Sequence, residues 1–304
     1  MIGQTAVDSP AARPAFTSHR ERLLSGLPVA ERRLELAGVS TSVLAGGSGP
    51  PIVLLHGPGE FAAKWRSVLP DLASTHSVIA PDLPGHGDSS IAGGRLSADG
   101  MHAWLASLIE RTCASPPVLV GHVLGGAIAA RFAIRHGDRL ARLVLVDSLG
   151  LAPFRPRPRF ALGMLGFLAR PSERSFTRFM RQCSYDLDDL REQMGEQWEA
   201  YAAYNVALAQ GPSARVAGRL MRELGLPRIP PEELARIAVP TALVWGRHDR
   251  AIRLQIAEAA SARYGWTLHV IEDCADDPPR DRPREFMKAL RSIVGPAAGR
   301  DSRF

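Results

Sequence analysis

Residues 118–126 read Val-Leu-Val-Gly-His-Val-Leu-Gly-Gly, and this stretch decides the fold. Three apolar residues after a turn predict a short strand that is buried on both faces. The small residues that follow, 126–136, predict a helix. A tight turn with Gly121 and Gly125 joins the two elements and places Val123 at its centre. Glycines in such a turn allow the backbone of the strand and that of the helix to cross closely.

The same alternation of strand and helix extends in both directions from this turn. A short hairpin is predicted around Gly38. Buried strands are predicted at residues 51–56, 77–80, 143–146, 241–245 and 267–271. Helices are predicted between them, at residues 64–72, 101–111, 255–264 and 284–293. Strands and helices that alternate at this spacing predict a mostly parallel sheet with helices on both faces, an α/β fold.

One long segment interrupts the alternation. Residues 151–237 are rich in arginine and predict helices only, so they are assigned to a helical cap inserted into an α/β core of residues 29–150 and 238–295. Residues 1–28 show no period and are predicted to form a flexible N-terminal arm, and residues 296–304 a C-terminal tail. The apolar run Phe160–Ala169 fits a lid helix over a pocket, a contact with a membrane surface, or a cap helix packed on the core. We favour the packed cap helix over the membrane contact.

Composition narrows the class of protein. The chain has 304 residues, 45% of them apolar and 22% charged, which is typical of a soluble globular protein. Its net charge is +6, and the positive residues look spread along the chain, which indicates a solvated surface and no nucleic-acid partner. The three cysteines form no zinc pattern and no disulfide framework. No signal peptide and no membrane span are evident, so a cytoplasmic location is expected.

Five motifs, in order along the chain, carry a resemblance to a known family. They are the 118–126 stretch, His56-Gly57, Pro-Asp-Leu-Pro-Gly-His-Gly at 81–87, Trp-Gly-Arg-His-Asp at 245–249, and Pro-Arg-Glu-Phe at 283–286. Together they resemble the α/β-hydrolase fold superfamily over about residues 33 to 293. The 118–126 stretch then corresponds to the nucleophile elbow, whose central residue stands on a strained turn above the sheet. The 151–237 insert lies where this family carries its cap domain.

The resemblance assigns three catalytic positions. The nucleophile position falls on Val123, whose side chain cannot attack a carbonyl group. The acid position falls on Asp249. Counting back from Phe286 without a gap puts Asp276 at the position of the catalytic histidine, and no histidine follows His269 in the chain.

The resemblance also assigns the oxyanion hole. One donor is the N–H of Leu124, and the other comes from the loop after His56-Gly57. There Pro58 has no N–H, and Gly59 replaces it only if the loop is reshaped.

Without a serine and a histidine, an acyl-enzyme at position 123 is not expected. The sequence instead predicts carboxylate acid/base chemistry on a small apolar substrate, by water addition, elimination, cyclisation or isomerisation. Asp249, Asp276 and His122 are the predicted catalytic residues, with Asp277 as a further carboxylate. Close carboxylates raise one another's pKa, which makes an acid or base that works near neutral pH. The predicted substrate-binding residues are Gly57, Pro58, Gly59, Glu60, Val123 and Leu124, and no metal or cofactor is expected.

Several alternatives stay open. The chain is also compatible with an inactive ligand-binding protein on the same fold, or with a hydrolase whose machinery has moved to Cys274, to Ser148 or to a water activated by aspartate. The same residues also have interpretations without a catalytic role. These are a solvated turn at Asp276 and Asp277, a loop cap at Asp249, and structural hydrogen bonds for His56 and His122. Residues 57–62 with Asp82 match a dinucleotide-binding layout, but Pro58 removes an N–H that a phosphate needs. A homodimer is a further open alternative.

Overall fold

Nine strands form one mixed sheet in the computed structural model, which describes residues 13–295. The strands are β1 (Ala30–Leu36), β2 (Val39–Gly46), β3 (Pro51–Leu55), β4 (Ser77–Pro81), β5 (Ser90–Ile91), β6 (Val118–His122), β7 (Arg142–Val146), β8 (Thr241–Gly246) and β9 (Thr267–Ile271). Their order is β1-β2-β4-β3-β6-β7-β8-β9, with β5 beside β2. The strands from β4 to β9 in this order are parallel, and β1 and β2 run antiparallel at one edge.

Helices cover the sheet and fill the connections. They are α1 (Arg13–Leu24), α2 (Leu69–Ala73), α3 (Ala98–Thr112), α4 (Leu124–His136), α5 (Pro158–Ala169), α6 (Glu173–Cys183), α7 (Leu187–Met194), α8 (Gln197–Gln210), α9 (Ser213–Leu220), α10 (Pro231–Leu234), α11 (Leu254–Tyr264), α12 (Pro278–Asp281) and α13 (Pro283–Val294). Helices α5 to α10 lie between β7 and β8, in the segment predicted to be helical. No helix within residues 13–295 is long and apolar enough to cross a membrane.

The central strands are mostly apolar because both of their faces are covered. Every residue of β3 and β6 is buried. Trp104 and Phe132 belong to the apolar cluster on one side of the sheet, and Trp65 and Phe286 belong to the cluster on the other side. The predicted α/β fold with a mostly parallel sheet is therefore confirmed. One predicted helix, 64–72, is divided into a 3-10 turn at Ala62–Trp65 and the short α2, because Pro70 has no N–H to donate within a continuous helix and fits only in the first turn of α2.

The predicted flexible arm is wrong for its second half, where α1 packs against α8. Arg20 of α1 is only 3% exposed. Its guanidinium lies 2.9 Å from Asp82 Oδ2 and 2.7 Å from Glu31 Oε1, and it donates a hydrogen bond to the hydroxyl of Tyr204. This helix was not predicted because its main anchor is a buried arginine whose partners are distant in the chain. Residues 1–12 and the predicted tail at 296–304 lie outside the described residues.

Candidate functional site

The turn between β6 and α4 has the geometry of a nucleophile elbow. Val123 adopts φ 49° and ψ −103°, and its side chain is partly exposed. A positive φ in a β-branched residue is rare and costs about 1–3 kcal/mol. The flanking glycines are required by contact: a Cβ at Gly121 would lie 2.4 Å from the oxygen of Gly125, and a Cβ at Gly125 would lie 2.4 Å from the oxygen of Leu55. The strained turn is therefore built in full although its central residue is valine.

One backbone donor at this turn is unused among the described residues. Leu124 is the first residue of α4, and within residues 13–295 its N–H has no hydrogen-bond acceptor. The N-terminus of a helix favours a negative charge, so this N–H is suited to a developing oxyanion. The N–H of Gly57 is already used, because it donates to Glu60 Oε2 at 3.1 Å. Gly59 lies in an exposed turn with φ 70°, beyond Pro58.

Two buried carboxyl groups meet behind the elbow, at the ends of β7 and β8. Asp249 Oδ1 accepts hydrogen bonds from the N–H groups of Ala251 and Ile252, and Asp147 Oδ1 accepts one from Gly246. The Oδ2 atoms of both residues are buried with no N–H or O–H donor among the described residues. The two carboxyl groups lie close enough for each to affect the pKa of the other.

The pKa values follow from this arrangement. Burial raises the pKa of Asp249 to about 7. Burial and then the neighbouring charge of Asp249 hold the pKa of Asp147 well above its usual range. Asp147 was not predicted from the sequence. The signal that could have found it is a lone acidic residue directly after a buried strand, at the edge where the other site residues lie.

Asp276 lies next to the elbow and to the inserted helices at once. Its carbonyl oxygen accepts a hydrogen bond from His122 Nε2 at 2.7 Å, and its N–H donates to the carbonyl of Cys183 at 3.2 Å. Burial, and then the charge of Asp249, raise the pKa of Asp276 well above its ordinary value. Asp276 and Asp277 are only 8% and 5% exposed, so the interpretation of this segment as a solvated turn is wrong.

Asp277 does not join the other carboxyls but belongs to a buried ionic cluster beside the site. Lys64 Nζ lies 2.6 Å from Asp277 Oδ1, and Arg280 bridges Asp277 Oδ2 at 3.1 Å and Glu60 Oε1 at 2.9 Å. The hydroxyl of Tyr201 accepts a further hydrogen bond from Arg280. The two positive charges of this cluster, on Lys64 and Arg280, therefore balance the two negative charges on Asp277 and Glu60. Lys64, Arg280 and Tyr201 were not predicted from the sequence, because partners in such a cluster are distant in the chain.

His56 and His122 form hydrogen bonds with backbone groups of the site. His56 is fully buried, and burial lowers its pKa to about 4. Its Nδ1–H donates to the carbonyl of Gly57, and its Nε2 accepts from the N–H of Leu83. His122 donates to Asp276 as described, and its Nδ1 lies 3.8 Å from Glu60 Oε2. His122 thus positions the Asp276 segment against the elbow.

The alternative nucleophiles are not available. The thiol of Cys274 is fully buried and donates to the carbonyl of Ala275, and burial raises its pKa. The hydroxyl of Ser148 is buried and donates to the carbonyl of Leu149. The dinucleotide layout also fails, because the carboxylate of Asp82 accepts a hydrogen bond from the N–H of Ala62, within the loop that would hold the phosphates.

The chain belongs to the alpha/beta hydrolase fold family, whose pattern it matches over residues 50–278. It is 29% identical over 267 residues to a pimeloyl-[acyl-carrier protein] methyl ester esterase of Aeromonas hydrophila. This alignment covers 84% of this chain and 100% of that protein. It is 30% identical over 282 residues to a 2-hydroxymuconate semialdehyde hydrolase of Pseudomonas sp. strain CF600, covering 89% and 95%.

A solved structure gives the same fold. The 2-hydroxy-6-oxo-6-phenylhexa-2,4-dienoate hydrolase of Rhodococcus sp. strain RHA1 superimposes with a TM-score of 0.76 at 24% identity, covering 88% of this chain and 99% of that one.

These similarities correct the function predicted from the sequence. Relatives that align along most of the chain are named as esterases and hydrolases. A reaction class of water addition, elimination, cyclisation or isomerisation is therefore wrong, and so is an inert ligand-binding protein. The names of these relatives support an enzyme of the hydrolase and esterase type.

Proposed function

We propose that the chain is a hydrolase that cleaves the ester bond of a small, largely apolar carboxylic ester. The observation that supports this most is the elbow, in which Val123 keeps the strained conformation and the N–H of Leu124 is left without an acceptor. An ester carbonyl placed over Val123 directs its oxygen to that N–H. The isopropyl group of Val123, with Gly57, Pro58 and Gly59, forms the apolar floor, and Glu60 shapes the loop through Gly57.

The attacking group in this proposal is water, since the side chain at position 123 has no oxygen. The carboxylate of Asp276 removes a proton from water as the oxygen attacks the carbonyl carbon. The tetrahedral oxyanion accepts a hydrogen bond from the N–H of Leu124. The intermediate then collapses to the carboxylic acid, and the leaving alkoxide takes the proton from Asp276, which returns to its starting state.

The other carboxyl groups tune Asp276 in this scheme. Asp249 adds to the rise in the pKa of Asp276, and a carboxylate with a raised pKa is a stronger base. Only the ionised form of Asp276 can take a proton from water. The rate is therefore expected to increase with pH up to the raised pKa of Asp276. His122 holds the Asp276 backbone in place and takes no proton from the substrate.

The test is hydrolysis of a panel of p-nitrophenyl and methyl esters with short and medium acyl chains. We expect turnover by the wild-type protein and a loss of about a hundredfold or more in Asp276→Asn, a typical contribution of one general base. Asp273→Asn, in the same loop but exposed, is the matched control and keeps its activity. Equal rates in the wild type and in Asp276→Asn would overturn the assignment of Asp276.

A further inference from the structure

Helix α5 is apolar on two opposite sides. Phe160, Gly163 and Phe167 are buried, and the helix packs on α6. Leu162, Leu165 and Leu168 point the other way and are 71%, 58% and 58% exposed. Their spacing of three residues places them on one side of the helix. A helix that is apolar all round is normally buried, but here nothing within residues 13–295 covers the leucine face. The interpretation of α5 as a packed cap helix therefore accounts for its buried side but not for its exposed leucines.

Arginines surround this leucine face. Residues 151–182 contain seven arginines and one acidic residue, Glu173, which is a net charge of +6 and equals that of the whole chain. The other 30 positive residues are spread along the chain and are matched by 30 acidic residues, so the net positive charge comes from this segment. All seven are exposed, and none forms a salt bridge within the described residues: Arg155, Arg157, Arg159, Arg170, Arg174, Arg178 and Arg181.

We propose that α5 and these arginines form a docking surface for an anionic lipid bilayer. The leucines enter the boundary between headgroups and acyl chains, and the guanidinium groups bind lipid phosphates. Charge complementarity selects this occupant. A second copy of the chain seated on the same face would bring two sets of seven arginines together, which like-charge repulsion disfavours. The proposal concerns lipid binding alone and does not depend on the reaction that the elbow catalyses.

The experiment is co-sedimentation of the full chain with vesicles of phosphatidylcholine, alone or mixed with phosphatidylglycerol. We expect binding to the mixed vesicles only, weakened by salt. Arg159→Gln/Arg170→Gln/Arg174→Gln should bind about a hundredfold more weakly, since each arginine near an anionic surface contributes about fivefold. Leu162→Ser/Leu165→Ser/Leu168→Ser should also lose binding. All variants should unfold at the wild-type temperature, because the replaced side chains are exposed.

Arg222→Gln/Arg228→Gln/Arg236→Gln is the matched control. It also removes three exposed positive charges, but from the segment around α10, which packs on α4. Its binding should be close to that of the wild type, with only the small decrease that a lower net charge causes. Absence of binding to mixed vesicles overturns the proposal. So does equal weakening in the control and the α5 arginine variant. An oligomer that the leucine variant dissociates would assign the face to a second copy of the chain instead.

Discussion

The substitution Asp249→Asn tests the raised pKa of the buried Asp249 carboxyl group. Asparagine has nearly the same shape, and its oxygen still accepts the hydrogen bonds that Ala251 and Ile252 donate to Asp249 Oδ1. Its amide nitrogen replaces the buried Oδ2 that faces Asp147. The substitution therefore removes the titration of Asp249 while it keeps the packing and the local hydrogen bonds.

The magnitude follows from the pKa of Asp249, which burial raises from 3.8 to about 7 in the folded protein. Below pH 3.8 both the folded and the unfolded chain hold this proton. Between about pH 4 and 7 the unfolded chain loses it and the folded chain keeps it, so the free energy of unfolding falls as the pH rises. A shift of about three pKa units corresponds to about 4 kcal/mol, which is fully lost above pH 7.

The assay is urea unfolding at a series of pH values from about 4 to about 8. We expect the wild type to lose up to about 4 kcal/mol more across this range than Asp249→Asn does. Asp138→Asn, which removes an exposed carboxyl, should follow the wild-type curve. Parallel pH curves for the wild type and Asp249→Asn would refute the raised pKa and with it the carboxyl pair.

Three further substitutions probe the elbow and its surroundings, each by urea unfolding. Val123→Gly removes about 1–3 kcal/mol of backbone strain together with a partly exposed side chain, so the free energy of unfolding should hold or rise; a large loss would contradict the strained turn. Gly246→Ala places a Cβ 1.7 Å from the carbonyl oxygen of Ala275 and should cost about 3 kcal/mol or more. Arg280→Gln leaves Glu60 without its guanidinium partner and should cost about 3–5 kcal/mol, whereas the exposed Arg284→Gln should change little.

Much of the fold was predictable because its signals are local. Each buried strand of the parallel sheet is a short apolar run between turn residues, and the elbow glycines mark the strand-to-helix turn. Helix α1 was missed because its anchor, Arg20, bonds to Asp82 and Tyr204, which are distant in the chain. Helix α5 was recognised as an apolar run, but only the structure shows that its leucine side is uncovered.

The candidate site was predictable in position and less so in chemistry. The positions of Val123 and Asp249 follow from motifs within a few residues of each strand end. The partner of Asp249 did not follow, because Asp147 comes from another strand and its role depends on burial. The ionic cluster of Lys64 and Arg280 was hidden for the same reason. The predicted reaction class was wrong because the absence of a serine and a histidine from the catalytic positions does not indicate which reaction replaces the usual one.

One measurement tests the proposed hydrolysis most directly: the intact mass of the protein, quenched with acid while it turns over a p-nitrophenyl ester. Attack by water predicts release of p-nitrophenol while the protein mass stays unchanged, because no bond forms between the acyl group and the chain. A fraction of protein heavier by one acyl group, formed and lost during turnover, would contradict the account and show that a side chain of this protein is the nucleophile.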